Sequence, residues 1–271
     1  MNWLYPVTIV LYSLSVLGYF IDFLQHNRKV NRMAFWLLSI VWVLQTVFFV
    51  IRALELERLP LLTPFEGLFF YAWLVVTLSL AINWYFRVDF LVFFTNLIGF
   101  SMMAFSLFTP DGDIPEALSA LLASELLIIH ISMILLSYVA FTLSFACQIM
   151  YVIQHQMLKR KIWGKRLLRF GALSKLDSLS FIAISIAWPL LLIGLILGFI
   201  WAYHKFAFVP LYDAKVISSL LVLGVYSVYL YQRVVKYVRG YNMALLGIAG
   251  FLILLINYIL SGQYSNFHIW Y

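Results

Sequence analysis

A chain of 271 residues that is 65% hydrophobic and only 11% charged is not an ordinary water-soluble domain, since such domains carry about 25% charged and roughly 45–50% apolar residues. The formal net charge of +7 does not mark a nucleic-acid binder, because the basic residues lie between apolar runs rather than on one soluble face. The lone cysteine, Cys147, excludes an intrachain disulfide and, inside an apolar run, reads as a small buried hydrophobe.

From the amino end, Met1-Asn2-Trp3-Leu4 offers no basic region and the run to Phe23 leads to no small-residue cleavage site, so a retained first helix is predicted. Eight apolar runs, each long enough to cross about 30 Å of hydrocarbon, are predicted over residues 4–24, 34–52, 64–86, 88–108, 122–153, 179–203, 214–235 and 243–262. The fold class is an all-α, polytopic transmembrane helical bundle. With no internal repeat and no low-complexity linker, residues 1–271 read as a single membrane domain. The fifth run exceeds what a bilayer needs and is expected to tilt or project. The sixth carries Gly194 and Gly198 at the small-xxx-small spacing that permits close helix contact.

Arg28, Lys29 and Arg32 follow the first run, Arg87 the third, seven basic residues from Lys159 to Lys175 the fifth, and Arg233, Lys236 and Arg239 the seventh. Only Arg52, Arg58, Lys205 and Lys215 fall on the opposite set of loops. The excess of Lys and Arg marks the cytoplasmic side, so both termini are expected on the non-cytoplasmic side. The acidic cluster Asp111, Asp113 and Glu116 is expected there too. The basic loop 156–178 is expected to be the one sizeable cytoplasmic piece. Within it Ile162, Trp163, Leu167 and Phe170 share a helix face, which suits an amphipathic helix on anionic headgroups or a docking site for a cytoplasmic partner.

His26 and His155 map to the inner interface, and His130, His204 and His268 to the outer one. Two imidazoles at one membrane face are a candidate pair of axial ligands for a haem iron, walled by aromatic side chains. His130 and His268 are that pair. Glu66, Glu125 and Asp22 lie near run ends, and the absence of a mid-run charge argues against a proton relay or an ion-coupled transporter. There is no zinc-type cluster, P-loop, nucleophile elbow or nucleophile–base pair, so no enzyme is expected.

Several segments carry a family resemblance. Leu176-Asp177-Ser178-Leu179-Ser180, Trp188-Pro189-Leu190-Leu191, Gly194, Gly198 and Trp201-Ala202 resemble the cytochrome c assembly superfamily of CcsA- and CcmC-type haem-handling membrane proteins. Arg58-Leu59-Pro60-Leu61 through Glu66-Gly67-Leu68 resembles the family's His-x-Pro-Leu…Tyr-Glu-Ser-Leu, with Arg58 in the histidine's place. His130-Ile131-Ser132-Met133 resembles its His-Val-Ser-Met, and Tyr229-Leu230-Tyr231-Gln232-Arg233 its Tyr-Leu-His-x-Arg, with Tyr231 for the histidine. Phe267-His268 resembles its terminal Leu-His. The likeness covers the chain from about residue 50 to 271.

The resemblance implies a haem site on the outer face. His130 and His268 would be the metal ligands of a haem b, flanking the family's Trp-rich loop, to which Trp201, Phe206, Tyr212 and Asp213 correspond. The spacing from Trp201 to Asp213 and Lys215 fits that loop, although its tryptophans are replaced, with Phe206, Pro210 and Tyr212 in the stretch. The retained outer histidines and the two replaced ones resemble the HemX-type group. For that group the resemblance implies control of the abundance of glutamyl-tRNA reductase, a cytoplasmic partner, from the bacterial cell membrane. A haem-delivering component of cytochrome c maturation, working with a thiol-handling partner, and an exporter of haem or a precursor are the alternatives.

Overall fold

The structure is a computed structural model that describes residues 3–25, 27–86, 89–109, 124–162, 172–209 and 211–264. Among these residues it is all helical. In chain order the helices are α1 (Leu4–Gln25), α2 (Arg28–Leu56), α3 (Pro64–Phe86), α4 (Asp89–Phe105), α5 (Glu125–Lys159), α6 (Leu173–Phe206), α7 (Ala214–Val234) and α8 (Tyr241–Tyr264), with a 3-10 turn at Ser106–Phe108 after α4. All eight are long and apolar enough to cross a membrane.

Local chemistry explains the boundaries, and three differ from the predicted ones. α2 begins at Arg28 rather than near residue 34 because the Asn27 side chain accepts hydrogen bonds from the backbone N–H groups of Lys29 and Val30, so the helix is capped before its apolar run starts. α3 opens on a reciprocal cap. Thr63 Oγ1 accepts from the Glu66 N–H, Glu66 Oε2 accepts from the Thr63 N–H, and Pro64 fills the first helical position, where no N–H is needed. α5 continues to Lys159 and α6 starts at Leu173, so both ends of the predicted loop 156–178 are helical. Apolarity marks only the part of a helix that meets hydrocarbon, whereas backbone hydrogen bonding continues into the headgroup region. Of the amphipathic face expected there, Ile162 is exposed, while Trp163, Leu167 and Phe170 lie outside the described residues.

The contacts divide into two compact units, residues 1–113 and 114–271. In the first, α1 packs on α2 and α4, and α3 packs on α2 and α4. Its core includes Tyr12, Leu38, Val41, Phe69, Ala72, Val76 and Met103. Indole–hydroxyl bonds tie α2 to α3 in both directions: Trp42 Nε1–H donates to Thr77 and Trp73 Nε1–H to Thr46, each at 2.9 Å. In the second unit, α5 lies along α6 and α8, and α7 packs on α6 and α8. Phe141 stacks on Tyr226 at 3.9 Å and Phe145 on Phe251 at 4.3 Å. Cys147 is buried, as expected.

Polar side chains inside this unit find one another. Asn257 donates to Tyr138 Oη and Ser219 Oγ and accepts from Ser218 Oγ, and Ser144 bonds Ser180. The outer faces are apolar instead: Ile182, Ile186, Ile193, Ile196 and Ile200 form an exposed stripe along α6. A helix that keeps its hydroxyls inward and its isoleucines outward is solvated by lipid. The chain is a multi-pass membrane protein.

Candidate functional site

α5 carries His130 in its second turn and faces the Gly194/Gly198 edge of α6. Residues 194, 198 and 201 are spaced to lie on one helical face. Two of these three positions lack a side chain, and the notch so formed receives the imidazole. A Cβ on Gly198 would stand 2.7 Å from His130 Cε1 and 2.8 Å from its Nδ1, closer than real Cβ atoms approach anything. At Gly194 a Cβ would meet Ile134 Cδ1 at 2.6 Å. The small-xxx-small spacing thus admits a particular pair of side chains, one of them a histidine.

Within the notch His130 Nδ1 lies 2.6 Å from the Gly194 carbonyl oxygen. A carbonyl only accepts, so Nδ1 bears the proton and Nε2 presents its lone pair. Among the described residues Nε2 has no hydrogen-bond partner. Metal-ligating histidines commonly have their second nitrogen fixed by a backbone carbonyl in this way. No group of three or more His, Cys, Asp or Glu side chains among the described residues is placed to hold a metal ion. A single oriented imidazole can instead serve as an axial ligand to an iron whose remaining coordination comes largely from a macrocycle.

The other predicted residues take different places. Trp201, one turn along α6 from Gly198, is 3% exposed and meets Phe206 edge to face, with ring centroids 5.8 Å apart. Phe206, half-buried, ends α6, and Ala207 reverses the chain with φ 56°. Asp213 caps α7, its carboxylate accepting from the Lys215 N–H at 3.0 Å. Tyr212, 96% exposed, stands clear of the packed helices. His268, the second expected ligand, lies outside the described residues. His204 is exposed.

Two participants escaped the sequence reading. Lys215, in the first turn of α7, lies within electrostatic reach of the His130 ring. The sequence marks it only as an outer-side cation and a match to the Lys of the family loop. The other is the Gly194 carbonyl, which no side-chain motif reveals. Of the two positions where the resemblance places lost histidines, only the first is filled by a group that holds the structure together. Arg58 forms a two-point ion pair with Glu66, at 3.0 and 3.1 Å. Tyr231 is an exposed residue near the end of α7.

Comparison with known proteins identifies the family. Residues 61–268 match the family described as Cytochrome C assembly protein. "Protein HemX" of Bacillus subtilis (strain 168) is 54% identical over 261 residues, covering 96% of this chain and 95% of that protein. "Protein HemX" of Brevibacillus brevis is 46% identical over 270 residues, covering 100% and 98%. "Cytochrome c biogenesis protein CcsA" of Mesostigma viride is 26% identical over 246 residues, covering 82% and 81%. With matches of this extent, the chain belongs to the cytochrome c assembly family, in its HemX-type group.

Proposed function

We propose that this protein binds haem at its outer face and reports haem status to the cytoplasmic side of the bacterial cell membrane, so regulating haem biosynthesis through the abundance of glutamyl-tRNA reductase. The observation that carries this reading is the His130 imidazole, held in the Gly194/Gly198 notch with its Nδ1–H on the Gly194 carbonyl and its Nε2 free to ligate. His268 would be the second axial ligand of a haem b. Phe206, backed by the buried Trp201, supplies aromatic surface at the end of α6, and Lys215 supplies a cation suited to a propionate. Haem contributes an iron that exchanges axial ligands and a chromophore that reports them; this chain orients the ligand and leaves its Nε2 lone pair without a hydrogen-bond partner among the described residues.

A ligation event outside needs a stiff connection to be felt inside. α5 provides one. Its 35 residues contain neither glycine nor proline and span about 52 Å at 1.5 Å per residue. It runs from the imidazole to the basic segment beginning at Lys159, with both termini of the chain on the non-cytoplasmic side, as the distribution of Lys and Arg supports.

Haemin titrated into the detergent-purified protein is expected to give a bis-imidazole absorption spectrum that His130→Ala and His268→Ala each disrupt. In cells, deletion is expected to change glutamyl-tRNA reductase abundance, and His130→Ala to reproduce that change. A spectrum indifferent to both substitutions overturns the site, and an unchanged reductase level overturns the regulatory role. Loss of covalent c-type cytochromes in the deletion strain would instead favour haem delivery in cytochrome c maturation, the reading that the CcsA relatives support.

A further inference from the structure

At one end of the first unit, a small surface cleft with an internal space of about 10 Å³ lies between α2 and the start of α3. Phe48, Phe49, Phe65 and Phe69 wall it, and Arg52 and Glu66 supply its charged groups. The carboxylate is already committed. Glu66 Oε1 accepts from Arg58 Nη2, and Oε2 accepts from Arg58 Nη1 and from the N–H groups of Leu62 and Thr63. Arg52 is not so placed. Its Nε is buried without a hydrogen-bond partner, and among the described residues no acid pairs with it. A guanidinium keeps its charge at any accessible pH, and a buried N–H on such a group calls for an acceptor.

The position of Arg52 along α2 says which acceptor is at hand. Arg32, exposed near the start of the helix, and Arg52 are 20 residues apart in the chain. That is about 30 Å of helix, the thickness of the hydrocarbon layer. With Arg32 at one headgroup plane, Arg52 lies at the other, where lipid phosphates are concentrated. We infer that the surface at the Arg52 cleft is a binding site for one anionic phospholipid, its phosphate on the guanidinium and the start of an acyl chain across the cleft mouth against Phe49, the half-buried member of the aromatic wall. Charge complementarity and depth both favour a lipid over a soluble anion, because the cleft walls are aromatic and the cation sits at the headgroup plane.

The test uses the full-length protein in non-ionic detergent, with native mass spectrometry counting retained lipid. The probes are phosphatidylglycerol, phosphatidylcholine of matched chains and inorganic phosphate. One phosphatidylglycerol is expected to bind saturably, about tenfold more tightly than phosphatidylcholine, the scale of one charge-assisted contact. Millimolar inorganic phosphate is expected not to displace it. Arg52→Gln is expected to reduce the preference to within about twofold, Arg52→Lys to keep part of it, and Arg32→Gln to leave it intact. Equal retention of the two lipids by the unaltered protein overturns the inference without requiring any variant to fold. So does displacement by inorganic phosphate, a preference that survives Arg52→Gln, or one lost equally in Arg32→Gln.

Discussion

His130 on α5 and Gly194 on α6 are joined by a 2.6 Å hydrogen bond from the imidazole Nδ1–H to the backbone carbonyl, across a gap that exists only because neither residue 194 nor residue 198 has a side chain. The bond fixes the tautomer and the glycines fix the position. Gly198→Ala tests the second condition. An added methyl would displace the ring or spread the helices, overpacking at a cost of about 1–3 kcal/mol. Haemin affinity is expected to fall by roughly tenfold or more, with a lower thermal midpoint. Gly224→Ala, on α7 with nothing within 4 Å of the new Cβ, is expected to change neither. Unaltered haemin binding by Gly198→Ala would remove the notch from the account.

Asn257 is the hub of the polar network of α5, α7 and α8. Its amide serves Tyr138, Ser218 and Ser219 at once. Interhelical hydrogen bonds in membranes average only about 0.6 kcal/mol, because an unfolded helix in lipid also finds partners. Three on one side chain make Asn257→Leu a loss of about 1–2 kcal/mol, measured by equilibrium unfolding in mixed micelles. A variant as stable as the parent would mean that the freed hydroxyls turn to their own helix carbonyls at no cost.

How much of this was legible beforehand follows from the kinds of interaction involved. Span number, the buried Cys147 and the close approach at Gly194 and Gly198 depend on apolarity and side-chain size, which sequence states directly. Helix ends were missed where capping decides them, as at Asn27, and where helix outruns hydrocarbon, as from Leu173. The proposed role of His130 was half-visible. Its residue type and its place near a span end suggested a ligand, but the Gly194 carbonyl that orients it is backbone and common to every residue. Lys215 was missed because its nearness to His130 arises from the packing of three helices. Arg58, read as a lost histidine, proved to hold a loop to α3 through Glu66, a pairing eight residues apart in the chain.

Asp177 of α6 and Arg233 of α7 form an ion pair whose side chains are 16% and 6% exposed, respectively, with the guanidinium 5.3 Å from the Phe181 ring centroid. Breaking one side of so enclosed a pair leaves the other charge stranded. Asp177→Ala is expected to cost about 3 kcal/mol, at the low end for buried pairs because the carboxylate retains some contact with solvent. The double substitution Asp177→Leu with Arg233→Met is expected to recover most of it, since apolar replacement removes both desolvation penalties. A double variant no more stable than Asp177→Ala would show that Arg233 contributes through Phe181 and the Val238 carbonyl rather than through the pair.

The orientation that the reporting mechanism needs can be tested with the native cysteine left in place. Cys147 is fully buried and should not react with a membrane-impermeant maleimide. Tyr212, between α6 and α7, and Tyr237, between α7 and α8, are 96% and 78% exposed, and a single span separates them. Lys236 and Arg239 beside Tyr237 belong to the basic set of loops, which the proposed orientation puts in the cytoplasm. Tyr212→Cys is therefore expected to label in intact cells from which any outer barrier has been removed, and Tyr237→Cys only after the membrane is permeabilised. The reverse pattern would put His130 and its notch on the cytoplasmic side, and haem would then be sensed on the same face as the enzyme it is proposed to govern.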